Sequence, residues 1–255
     1  MKKTSRYLLP LIACLSLVYL SCDKSATAAV DPEITEADVP AVFSKIYGAT
    51  SITSDGTYVT IKTNGVPDHK SIYQSASSGL YEDFSGSTFG GYQFIKNPNT
   101  IATQSLTFKI PIEPKVASSH AATPLGAIGV ALNGVPFYNQ YAGPNQPLTN
   151  EVMSFDQYWG HPQQSGQYHY HVEPLYLTQV KASRSALLGF LLDGFPVYGP
   201  EENGAEVSND ALDAYHGHSH ATADYPEGIY HYHITDADPY LNGSGFYGTA
   251  GTVSR

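Results

Sequence analysis

Cysteine is nearly absent from this 255-residue chain. It has two, Cys14 and Cys22, both within the first 22 residues. Beyond residue 22 the chain has no disulfide framework and no thiolate metal ligand. Charge is sparse at 14%, and basic charge more so, with thirteen Lys and Arg against twenty-three Asp and Glu. An acidic balance argues against nucleic acid or an anionic membrane surface as partner. Long apolar runs are also missing. The stretch from Tyr7 to Ser21 is too short for a comfortable membrane span. No long amphipathic helix, phosphate-binding glycine loop, serine-nucleophile elbow or helical His-Glu-x-x-His is found.

The start of the chain reads as a bacterial export signal. Lys2, Lys3 and Arg6 precede the apolar stretch, which ends at Leu20-Ser21-Cys22. A small residue before Cys is the pattern of a lipoprotein signal, in which Cys22 is lipidated. Tyr19, three before Cys22, departs from the usual aliphatic; Leu11-Ile12-Ala13-Cys14 fits the letters better, but leaves an apolar core of only about seven residues. A plain secretory signal cut nearby is the alternative. The expectation is a protein of the cell envelope, exported and anchored to the membrane by lipid. Without Lys2, Lys3 and Arg6, ten basic residues face twenty-three acids, a net charge of −13. Residues 23–45, with Pro32 and Pro40, read as a tether, with at most a helical turn near Ala41 to Lys45. Residues 46–255 then form one domain.

Tyr, Gly and Pro are abundant there, and the patterning is β. Ser51 to Thr63 reads as two strands across Asp55-Gly56, and Gln104 to Pro111 alternates as a third strand. Residues 75–91 read as loop, and Asn209 to Tyr215 as a short helix at most. The fold class expected is all-β, an antiparallel sandwich or barrel-like domain.

One tetrapeptide occurs twice, as Tyr168-His169-Tyr170-His171 and Tyr230-His231-Tyr232-His233. Alternation on a strand puts two imidazoles on one face and two phenols on the other. The flanks repeat too. Asp156-Gln157-Tyr158-Trp159-Gly160-His161 corresponds to Asp213-Ala214-Tyr215-His216-Gly217-His218, and Gly129 to Tyr138 corresponds to Gly189 to Tyr198. Asn133-Gly134 and Asp193-Gly194, each between apolar runs, predict two-residue hairpin turns. The chain thus carries an internal duplication of a hairpin, an Asp/Gly-His loop and a His-bearing strand, over about 125–171 and 187–233.

Eight of the ten histidines fall between 161 and 233. Neutral imidazole is the commonest zinc ligand and also suits copper, iron and nickel. The candidate metal ligands are His161, His169 and His171 in the first unit and His218, His231 and His233 in the second. Asp156 and Asp213 are candidates for direct ligands, for acceptors that orient an imidazole, or for turn caps. His216 and His220 complete a His-x-His-x-His run that is either ligand or ordinary loop. His120 stands apart as background, and the Tyr faces read as core.

These segments resemble the YHYH-domain family of bacterial secreted proteins and lipoproteins. The resemblance rests on Asn64 to His69, Gly129 to Tyr138, Gly160-His161-Pro162, Gly166 to His171, Leu192 to Pro200 and Gly228 to His233, with Pro239-Tyr240 and Phe246-Tyr247-Gly248 near the end. It implies no particular reaction. It draws in His69 as a further candidate ligand. The family pattern has Cys where this chain has Tyr158 and Tyr215, so any bridge or thiolate at those positions is absent here.

Three functions remain open, in order of preference. The first is an extracytoplasmic metal-binding lipoprotein using copper or zinc. The second is a metal-dependent hydrolase or oxidoreductase with an open coordination position. The third is a surface module that binds sugar or peptide without metal. Open questions are whether the protein is an enzyme and whether the two units hold separate ions or share one.

Overall fold

Turn residues set the first strands. Asp55 Oδ1 accepts hydrogen bonds from the Thr57 and Tyr58 amides at 2.9 and 2.7 Å, and Gly56 takes φ +81°. This joins β1 (Ala49–Ser54) to β2 (Tyr58–Thr63) as an antiparallel hairpin. The protein is seen in a computed structural model that describes residues 39–243 and 245–255. The expected leader, the lipidation site Cys22 and the stretch 23–38 lie outside the described residues.

The end of the stretch read as a tether belongs to the domain. Phe43, in a 3-10 turn at Phe43–Lys45, is 2% exposed and packs on Phe190 with ring centroids 4.5 Å apart. Small residues and Pro40 give this stretch a linker's composition. Phe43 anchors it, with Val39 and Val42 packed against the same core.

β3 (Leu106–Pro111) alternates buried and half-buried, so Leu106, Phe108 and Ile110 face inward. It pairs antiparallel with β2 on one side and with β16 (Thr252–Ser254) on the other, closing a four-stranded sheet. The second sheet has eight strands: β4 (Ala127–Ala131), β5 (Pro136–Tyr138), β8 (Gly160–Pro162), β9 (Tyr168–Tyr170), β10 (Leu187–Leu191), β11 (Pro196–Tyr198), β14 (Gly217–His220) and β15 (Ile229–His233). Short two-stranded ribbons, β6 (Tyr141–Ala142) with β7 (Gln146–Pro147) and β12 (Glu201–Glu202) with β13 (Ala205–Glu206), follow β5 and β11. The two main sheets share one hydrophobic core, to which Val59, Ile61 and Phe108 contribute from one and Val130, Phe190 and Tyr232 from the other. The protein is β-rich, and no sheet closes into a barrel.

The large sheet runs β14-β15-β11-β10-β4-β5-β9-β8. It is symmetric about its centre. The equivalent residues Val130 and Phe190 pair with each other at the centre, and the flanking pairs Gly129 with Leu191 and Ala131 with Gly189 exchange places across a local twofold. The order is not wholly antiparallel. β9 lies parallel to β5, and β15 parallel to β11. The long Asp/Gly-His segment supplies the crossover that a parallel pair requires. The outer strands β8 and β14 then turn back antiparallel onto β9 and β15.

The hairpin turns differ from the two-residue form. The Ala131 amide bonds to Val135 O and the Gly134 amide to Ala131 O, and the second unit matches through Leu191, Phe195 and Gly194. The loop therefore has three residues, with Gly134 (φ +80°) and Gly194 (φ +89°) in the left-handed position. A Cβ at Gly134 would lie 2.5 Å from Gly48 O, and one at Gly194 2.6 Å from Pro111 O. Both turns press directly on backbone of the first part of the domain.

The central pairing is also a close backbone contact. A Cβ at Gly129 would meet Phe190 O at 2.4 Å, whereas one at Gly79 meets nothing within 4 Å. Gly129→Ala is expected to destabilise the protein by about 3 kcal/mol, the upper end for overpacking. Gly79→Ala should change stability by less than about 0.5 kcal/mol. Urea midpoints of the two variants check this.

Candidate functional site

The Tyr-His alternation delivers what the strand geometry dictates. Tyr168, Tyr170 and Tyr232 are fully buried in the core, on the face away from the imidazoles. Their hydroxyls are satisfied. Tyr168 donates to Asp156 at 2.9 Å, Tyr230 to Asp213 at 2.9 Å and Tyr232 to Asp193 at 2.5 Å, while Tyr170 accepts from Asn133 at 3.1 Å. The tyrosines of the motif thus have structural roles.

Asp156 and Asp213 stand in neither histidine group. Each carboxylate caps its own loop. Asp156 Oδ1 accepts from the Tyr158 amide at 2.9 Å, and Asp213 Oδ1 from the Tyr215 amide at 2.8 Å. Asp156 also takes the Ser71 hydroxyl at 2.5 Å. No described bond joins either Asp to an imidazole of the pair of strands. The loops pass through left-handed residues at equivalent positions, Trp159 (φ +61°) and His216 (φ +73°). Turn geometry accounts for the bonds these aspartates make.

His161, His169 and His171 come together, all buried, and their ligand atoms lie within 4.8 Å of one another. The second group gathers His218, His220, His231 and His233 with the carboxylate of Glu202 to the same tolerance. Three other histidines fall outside both. His69 is on the Tyr face, with Nε2 3.1 Å from Tyr170 Oη and Nδ1 2.9 Å from Lys70 O. His216 sits in its turn and bonds Thr235 Oγ1 at 3.0 Å through Nε2. His120 stacks on Tyr215 with centroids 4.2 Å apart.

The tautomers can be read from the partners. His169 Nδ1 is 3.1 Å from Gln167 O, and His171 Nδ1 is 2.5 Å from Asn139 O. A carbonyl only accepts, so both protons are on Nδ1 and both Nε2 atoms carry lone pairs. Those Nε2 atoms are 3.0 Å apart. His161 follows by a longer route. Ser154 Oγ donates its only proton to Glu151 O at 2.8 Å, so it accepts from His161 Nδ1 at 2.7 Å. His161 Nε2 is then a buried lone pair with no hydrogen-bond partner.

The second group repeats the arrangement. His231 Nδ1 donates to Ile229 O at 3.0 Å and His233 Nδ1 to Gly199 O at 2.7 Å, in positions equivalent to those of His169 and His171. His220 Nδ1 donates to Ala221 O at 2.9 Å. Glu202 Oε1 lies 2.5 Å from His220 Nε2 and 3.5 to 3.7 Å from the Nε2 atoms of His218, His231 and His233. His220 and His218 present Nε2 atoms 3.0 Å apart.

Burial favours the neutral form of His161, His169, His171, His218, His231 and His233. Desolvation pushes His161 and His169 well below the ordinary imidazole value, with neighbouring imidazoles adding to the effect. Desolvation also brings His171 and His231 down to about 4 and lowers His218 and His233. Neutral imidazole with Nδ1 held by a carbonyl is the form that binds metal.

The groups are far apart. Five inter-strand steps separate β9 from β15 in the sheet, roughly 24 Å at the usual strand spacing. A single ion cannot bridge them. Each opens onto its own cavity, of about 690 Å³ over the first group and about 760 Å³ over the second.

Three participants escaped the sequence reading: Glu202, Ser154 and Glu151, whose Oε2 is 3.6 Å from His161 Nε2. Glu202 lies on a two-residue strand and has no carboxylate counterpart, because Ala142 holds the equivalent place in β6.

The model of a family described as YHYH protein matches residues 107–207 and 201–245, more than half of the chain. The chain belongs to the YHYH family. No curated protein and no solved structure matches it. The YHYH segment contains both histidine groups, Ser154, Glu151 and Glu202, whereas His69 and the β1–β2 hairpin precede it.

The neutral rings have a pH consequence. An unfolded imidazole titrates near 6.5, and eight in the fold (His69, His161, His169, His171, His216, His218, His231, His233) are depressed below that. As pH falls below 6.5 the unfolded chain takes up more protons than the fold, so stability drops. Burial raises three carboxyls, Glu151, Asp156 and Asp193 (to about 6), which act in the opposite sense but are fewer. The melting temperature of metal-free protein should fall from pH 6.5 toward pH 4. A flat or rising profile would contradict buried neutral imidazoles.

Proposed function

We propose that this YHYH protein is an exported, lipid-anchored protein of the cell envelope that binds two transition-metal ions, zinc or copper, one in each half. The first site is His161, His169 and His171. The second is His218, His220, His231 and His233 with Glu202. Lipidation at Cys22 and the envelope address rest on the N-terminal sequence.

One observation carries the metal reading. His169 and His171 are each tied to a carbonyl through Nδ1, so two lone pairs face each other at 3.0 Å in a buried place. Neither can donate to the other. A cation between them turns a repulsion into two bonds, and the same holds around Glu202 Oε1. The donor set excludes hard cations. Magnesium and calcium call for oxygen ligands, whereas imidazole-rich sets suit zinc and copper. Four imidazoles and a carboxylate make a site that retains its ion. Three imidazoles match the protein ligands of a catalytic zinc site, with one position free. That openness favours a second reading of the first site, as the centre of a metal-dependent hydrolase or oxidoreductase.

Metal analysis after zinc or copper loading should find about two equivalents per chain, and about one in a His169→Ala/His171→Ala variant. Less than about a tenth of an equivalent in the unaltered protein would end the metal reading, and loss of both ions in the variant would end the two-site reading. Ser154→Ala removes the acceptor that orients His161. It should weaken the first site by about 10- to 100-fold and leave the second unchanged. A competition titration with a chromophoric chelator reads both sites.

A further inference from the structure

The two units place the same imidazoles in register but differ at two positions beside them. His220 pairs with Ile229 on β14–β15. In the first unit the Gln163 amide bonds to Gln167 O, which puts Gln163 in the register of His220. Ala142 stands in the register of Glu202, since Ala142 pairs with Gln146 as Glu202 pairs with Ala205. The first site therefore lacks two donors that the second has.

The cavities diverge in the same direction. The first is lined by Lys96, Arg255 and Glu151, a side-chain balance of +1. The second is lined by Lys45, Glu201, Glu202 and Asp224, a balance of −2. The first also has Ile95, Leu125 and Tyr141 in its lining, 63%, 48% and 41% exposed. None of the large exposed hydrophobics of the described residues lines the second cavity. Tyr138, stacked on His169 at 3.8 Å, continues the apolar wall down to the imidazoles.

We propose that the two sites have divided their tasks: the second holds its ion in a closed set, and the first takes a small organic carboxylate with an apolar body as an exogenous ligand on its ion. This rests on the metal reading above. Three neutral imidazoles bring no charge of their own to a divalent ion, and Glu151, 3.6 Å from His161 Nε2, stands beside the first group rather than in it, whereas Glu202 lies within the second and cancels part of the charge there. An anionic oxygen is the ligand that such an ion and the two cations beside it select. The rim of Ile95, Leu125 and Tyr141 covers the apolar body of the ligand and so excludes water from it. A neutral ligand of the same shape gains only the apolar contact.

The test uses the full chain loaded with Cu(II), with copper content measured first, and benzoate and benzamide as probes. Electron paramagnetic resonance should show a saturable change in one of two copper signals with benzoate, and binding weaker by at least about tenfold with benzamide. The His231→Ala/His233→Ala variant should keep the response in its remaining copper. Gln163→His, which puts an imidazole in the register of His220, should hold both coppers and lose the response. Equal binding of the two probes, an undiminished response in Gln163→His, or no response with both coppers in place would overturn the proposal alone. Copper below about a tenth of an equivalent would overturn the metal reading, and this proposal with it.

Discussion

An imidazole has two nitrogens, and in each histidine strand of this fold Nδ1 is tied to the scaffold. Gln167 O and Asn139 O hold His169 and His171, and Ile229 O and Gly199 O hold His231 and His233. Because a carbonyl fixes the proton on Nδ1, every Nε2 is left as a lone pair, and the strand aims them at one point. The rest of the structure serves this. Asn139 and Gly199 follow directly on β5 and β11, which lie parallel to the histidine strands, and that pairing brings their carbonyls to the imidazoles. The parallel pairing in turn requires the long loop that Asp156 or Asp213 caps.

Symmetry explains why the arrangement occurs twice. The two units meet where Val130 pairs with Phe190, and the glycines at 129 and 189 allow that approach because a Cβ at either would strike backbone oxygen of the other strand. The histidine strands lie outward from this seam, toward opposite ends of the sheet. A duplicated unit arranged this way keeps its sites apart, so each can change without disturbing the other. Gln163 and Ala142 against His220 and Glu202 record such a change.

Much of this was legible in the sequence. Period-two alternation put Tyr168, Tyr170 and their counterparts inside and the histidines on the other face, since a strand has no alternative. The Gly-His pairs pointed to His161 and His218 because they recur before the Tyr-His strand in both units. The illegible parts depended on distance in the chain. Glu202 reaches the second site from a two-residue strand, and nothing local marks it. Asp156 and Asp213 look like metal chemistry beside Gly-His, yet their carboxylates are taken up by amides two residues on and by buried tyrosines. His69 lies in a segment shared with the resemblance, but its Nε2 faces Tyr170 on the core side. The order of strands and the parallel pairs come from long connections that local patterning does not encode. The three-residue hairpin loops differ from the expected two because Gly134 and Gly194 occupy the bulge rather than the turn centre.

Two separate ions on two imidazole groups is the claim on which the functional account stands. Anomalous diffraction from crystals of zinc-loaded protein tests it most directly. The account predicts two peaks per chain roughly 24 Å apart, each about 2.0–2.1 Å from the Nε2 atoms of its group. A single peak, or peaks on surface carboxylates with the imidazoles unliganded, would contradict it.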